Sequence, residues 1–218
     1  MHSSFIRANL LLAGLFLSPV AGGGGIDQPG QFTYGGQGTA IKASVLGVAI
    51  VLSDSGPLPR SGGNQEASSL KATVPGLLTA DVLRAAAVGE NEGTHSEASV
   101  TNFCITVEGN TIASNYLVAR AAAVGGAGDP VISGGSEIVG LVINGETVVV
   151  SGEPNQSLAL PNGHVVLNEQ QGSVADNAGD ITVNALHVVI KETADLLISS
   201  AHASIASDVS GSQKKGIP

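Results

Sequence analysis

Few stretches of this chain hold residue types that do chemistry, and "VLSDSG" (51 to 56) is the first of them. Apolar residues lead into Asp54-Ser55-Gly56, and a carboxylate held in that way can share one proton with a second carboxylate and activate water. "IVG" (138 to 140) adds an apolar-apolar-Gly element downstream, but no second Asp-Ser-Gly or Asp-Thr-Gly follows, so a carboxylate pair would need two chains. The competing reading is a turn in which Asp54 caps its own backbone and Gly56-Pro57 ends a strand. "DNAGD" (176 to 180) gathers Asp176, Asn177 and Asp180 in a Gly-containing loop. Such hard oxygen ligands suit calcium, although the spacing is not that of an EF-hand and a solvated turn explains it as well. His95, His164, His187 and His202 lack a two-His spacing with a nearby carboxylate, and no Ser/His/Asp triad is marked. The residues therefore predict no catalytic group, the alternatives being a secreted Asp54-dependent hydrolase or a calcium-dependent ligand-binding module.

Composition excludes more than it selects. The formal net charge is −9, and the few Lys and Arg are scattered apart from Lys214-Lys215, so nucleic acid phosphates find no basic patch. With no Trp, the chain offers few aromatic platforms for sugars. The lone Cys104 closes no disulfide within the chain; in "NFCITV" it reads as a small packed apolar residue, the alternatives being a reactive thiol or a bridge between chains.

The elements that must position these residues are strands. Arg7, the apolar "ANLLLAGLFL" (8 to 17) and "SPVAGG" read as a signal peptide over 1–22, too short to span a bilayer. A flexible Gly-rich lead-in over 23–39, a single β domain over 40–207 and a polar tail over 208–218 complete the reading. "AIKASVLGVAIVL" (40 to 52) reads as one buried strand. Hairpin bends are expected at Glu108-Gly109, at Asn144-Gly145, and at Pro161-Asn162-Gly163. In "DITVNALHVVI" (180 to 190) the apolar residues change face midway, which suggests a bulge or a strand covered on both sides. Glu66, Glu97 and Glu137 read as rim charges at strand starts.

One repeat organises the middle of the chain. "VLRAAAVG" (82 to 89) and "VARAAAVG" (118 to 125) agree at seven of eight positions, and each precedes a Ser-Glu pair and a hairpin turn. A helix of one octet would span barely two turns, with Val at both ends, which nucleates poorly. Read as strands, the alanines would let two sheets approach closely. The expectation is an all-β antiparallel sandwich or flattened barrel of about ten strands, with an internal strand-hairpin duplication.

The chain then resembles a known family through "LSDSGPLPRSGGNQEASSL" (52 to 70), "EIVGLVINGETV" (137 to 148), "EPNQSLALPNG" (153 to 163) and "GDITVNALHV" (179 to 188). These are similar to the choice-of-anchor P family of exported bacterial proteins. The resemblance implies an extracytoplasmic β domain joined to varied surface anchors, with no agreed activity. The tail here lacks a sorting motif with an apolar stretch, so release or non-covalent retention is expected. "VLSDSG" separately resembles the aspartic protease signature, and "LPRSG" (58 to 62) superficially resembles a sortase site, although cleavage there would discard the domain. The functional expectation is a secreted or surface structural or adhesive protein that associates, with itself among its partners. Phe32 and Tyr34, two apart in the lead-in, would face one side of an extended arm that fills the open edge of a neighbour, an octet strand being the candidate edge.

Overall fold

A computed structural model describes residues 32–126 and 128–207. The segment read as a signal peptide, the lead-in before Phe32 and the polar tail lie outside the described residues. Thirteen strands, and no helix, make up the described fold. The chain starts with β1 (Phe32–Val45) and β2 (Val48–Asp54). It then crosses to a second sheet for β3 (Gly63–Val74), β4 (Leu78–Glu90), β5 (Gly93–Val107), β6 (Asn110–Val124), β7 (Val131–Val139), β8 (Val142–Ile143) and β9 (Glu146–Thr147). It returns for β10 (Gln156–Leu160), β11 (Gly163–Ala175), β12 (Ala178–Ile190) and β13 (Ala194–Ser207). The first sheet runs β10-β11-β12-β13-β1-β2 and the second β3-β4-β5-β6-β8-β9, with β7 also on β6. All pairings are antiparallel, and the two sheets stack as a sandwich without closing into a barrel.

The expected hairpins form where the turn residues dictate. Glu108 (φ 47) with Gly109 (φ 76) and Asn144 (φ 52) with Gly145 (φ 85) take the paired left-handed angles of a two-residue turn. Pro161 and Asn162 join β10 to β11. A third turn with paired left-handed angles corrects the reading of residues 40–52 as one strand: Leu46 (φ 48) and Gly47 (φ 77) fold that stretch into the β1–β2 hairpin. Leu rarely adopts φ > 0, so Leu-Gly inside an apolar run hides its bend.

The lead-in reading also ends early. From Phe32 onward the chain is strand, paired with β13 from Phe32↔Ser207 to Val45↔Ala194. Its Gly-rich half is selected by space as well as by flexibility. A Cβ on Gly38 would stand 2.5 Å from the Glu97 carbonyl oxygen and 2.9 Å from the Ala86 nitrogen, both on the opposing sheet. The octets explain that closeness: Ala85 and Ala87 on β4, and Ala119, Ala121 and Ala123 on β6, are buried between the sheets. Both octets are strands, and their copies are the adjacent hairpins β4–β5 and β6–β7.

The face change expected in β12 is present without an inserted residue. Asn184↔Glu169 and Leu186↔Leu167 keep one register, as do Asn184↔Ser200 and Leu186↔Ile198. Asn168 (φ 48), Ser199 (φ 54) and Ser53 (φ 51) lie in one transverse row with Ala185 and Ala40. A single left-handed residue on alternate strands turns the chain over, so each strand buries one face below the row and the other above it. In the second sheet Val82 (φ 40) and Asn102 (φ 47) sit at the matching place, where β4 and β5 shift register.

Candidate functional site

Asp54 lies at the end of β2, and its carboxylate is saturated by donors. Oδ1 accepts from the Gly56 N–H at 2.6 Å and from Gln37 Nε2 at 2.8 Å, while Oδ2 accepts from Gln37 Nε2 at 2.9 Å and the Thr39 hydroxyl at 3.0 Å. The Gly56 bond is the backbone cap expected of a turn. Replacing Asp54 with Ala strands four donor contacts, and we expect a loss of about 1–3 kcal/mol, read as a shift in the urea midpoint.

The calcium triplet is spread over separate tasks. Asp176 (φ 51) and Asn177 make the β11–β12 turn, and the Asn177 amide donates to the Ser207 carbonyl at 2.6 Å. Asp180 sits on β12 with its Oδ2 2.8 Å from His202 Nε2. Phe32 and Tyr34 are not on a free arm: Phe32 covers Gly125, Tyr34 covers Gly89, and the Tyr34 hydroxyl donates to the Asn91 carbonyl. Neither octet is an edge strand, because β4 lies between β3 and β5, and β6 between β5 and β7. Cys104 is half-buried on β5 and faces outward beside Thr79 and Thr106.

A polar cluster that sequence spacing did not reveal lies on the outer face of the first sheet. Glu169 accepts from the Asn184 amide at 2.7 Å and meets His187 Nδ1 at 3.0 Å, while His187 Nε2 meets Asp195 at 3.1 Å. Positions 184 and 187 share a face only because the strand turns over between them. With both ring nitrogens facing carboxylates, the imidazole ties β11, β12 and β13 together.

A concavity of about 620 Å³ opens on the outer face of the second sheet. Two transverse rows build it. Ala86, Glu97, Arg120 and Gly135 stand side by side across β4, β5, β6 and β7, and Val88, His95, Ala122 and Ser133 form the next row. The floor is made of small side chains because the octets supply it, each copy presenting Arg-Ala-Val outward: Arg84, Ala86, Val88 and Arg120, Ala122, Val124. Arg120 Nε donates to Glu97 Oε2 at 2.7 Å with both side chains about half exposed. Partial burial opposes the Arg120 charge, but the Glu97 hydrogen bond and the charges of Glu97 and Glu137 outweigh it and hold the guanidinium above its ordinary range. A second hollow around Glu66, Ser68 and Arg84 shares Ala86 and Glu97 with the first and extends the trough to the β3 edge. Glu66, Glu97 and Glu137, expected at strand starts, thus stand within strands along this trough. Sequence alone could have found it by noting that the repeated octets put the same residues on the same outward face.

The chain matches no family model, no curated protein and no solved structure. Among the described residues, no helix is long and apolar enough to cross a membrane.

Proposed function

We propose that this is an exported surface or matrix protein that works by association, receiving an extended partner segment in the trough of the second sheet. The observation that carries the reading is the trough itself: an open run across four strands, floored by Ala and Gly and edged by Glu97, Arg120 and Glu137. A floor of small side chains admits a backbone closely, and flanking charges of both signs give a bound segment its direction. Export, and kinship with the choice-of-anchor P family, belong to the same proposal; the leader-like segment and the quoted motifs support them.

The rival reading is a hydrolase built on Asp54. One pair of measurements separates the two. Retention of the full chain on the surface or matrix of cells that make it should fall by about tenfold or more when Ala122→Glu fills the trough floor with a bulky charged side chain. Unchanged retention would refute the trough reading. Peptidase or glycosidase turnover by the wild-type chain, abolished by Asp54→Asn, would establish the rival.

A further inference from the structure

We infer that β2 is an interface between two copies of this chain, paired antiparallel about a two-fold axis through Ile50. Among the described residues, β2 is bonded to β1 on one side only, so its other side presents unpaired backbone groups. Among the described residues, the other edges are charged, Gly-rich or shorter than β2. β3 holds Glu66 and Lys71, β7 holds Glu137 and two glycines, β9 has two residues and β10 has five. β2 carries a charge only at its last residue, Asp54. From Val45 to Ser53 there is no charged residue, and Leu46, Val48 and Val51 are 74%, 63% and 50% exposed.

The turn fixes which backbone groups point out. A two-residue hairpin closes on a pair that exchanges both hydrogen bonds, here Val45 with Val48, and such pairs alternate along the ladder. The N–H and C=O of Val48, Ile50 and Leu52 therefore face β1, and those of Ala49 and Val51 face away. Under the two-fold axis, Ala49 of one copy exchanges two bonds with Val51 of the other, and the reciprocal pair does the same. The side chains fit in this register: Ala49 lies against Val51 on the outer face, and Val48 against Leu52 on the inner face, small beside large. A second copy is the occupant because the sequence of β2 is complementary to itself when reversed. Val48 to Leu52 carry no charge, so two chains of net charge −9 can meet there without opposing like charges.

The edge and the trough are separate, so this inference and the proposed function can fail independently. Light scattering on the full chain should give twice the 21.6 kDa chain mass over a dilution series, with tighter pairing as salt screens the acidic copies. Ala49→Pro removes an N–H that no strand of the same chain uses, so circular dichroism and thermal midpoint should hold. Dimerisation should weaken roughly tenfold or more, two hydrogen bonds being lost per dimer. As an independent check, Ile50→Cys in a Cys104→Ser background should oxidise to a covalent dimer, since facing Cα atoms of such a pair lie about 4.5 Å apart. A monomeric wild-type chain, or a dimer equally tight with Ala49→Pro, would overturn the inference.

Discussion

A chain begun at Thr39 is expected to lose its cooperative fold, whereas one begun at Phe32 keeps it. The shorter chain gives up seven of the thirteen paired positions between β1 and β13, from Phe32↔Ser207 to Gly38↔Ala201. Three backbone bonds go with them: the Tyr34 N–H to the Arg60 carbonyl, and the Gly36 and Gly38 carbonyls that receive the Leu58 and Ser55 N–H groups. The 55–62 connection between the sheets is thereby unstitched, and the buried Ala201, Ala203 and Ile205 lose the strand beside them. A domain holds about 5–15 kcal/mol in total, so the loss of two aromatic side chains and half an interior strand consumes most of it. Far-ultraviolet circular dichroism with urea titration decides the matter. A sharp transition at the same urea midpoint in both chains would show that residues 32–38 are not integral to the sandwich.

Gly38→Ala is expected to be the most damaging single methyl in the chain's first strand. The added carbon meets carbonyl oxygen and amide nitrogen of the facing sheet, at Glu97 and Ala86, and backbone cannot swing aside as a side-chain tip can. Overpacking of this kind costs about 3 kcal/mol, or about 6–12 °C in melting temperature for a domain of this size. Gly135→Ala supplies the contrast, since nothing lies within 4 Å of its added carbon. Calorimetry should separate the two variants clearly; equal melting temperatures would mean that the sheets are free to move apart at Gly38.

These two glycines show where the sequence is legible. The octets carry their own explanation, because alternate alanines on a strand make a face that another sheet can approach. The bends at Asn144-Gly145 and Glu108-Gly109 were readable from residues that tolerate left-handed angles. The bend at Leu46-Gly47 was not, since Leu gives no such sign and the apolar run reads through it. The glycines of β1 misled for a related reason: a Gly-rich stretch looks flexible when read alone, and only the opposing backbone reveals that it is filled space. The cluster of Glu169, Asn184, His187 and Asp195 depends on a strand turning over between two of its members. Alternation therefore assigns Asn184 and His187 to opposite faces, and no count of spacings recovers them. The trough lay between these cases, its floor written in the repeat and its outline set by which strands became neighbours.

The placement of the first and last described strands side by side, Phe32 opposite Ser207, decides how this domain responds to tension. Pulled by its two ends, an antiparallel pair opens like a zipper, one rung after another from the loaded end, and each rung resists alone. Ends at opposite extremities would instead load all the rungs in shear at once, and would hold far more. A domain built this way makes a poor link in a chain under load.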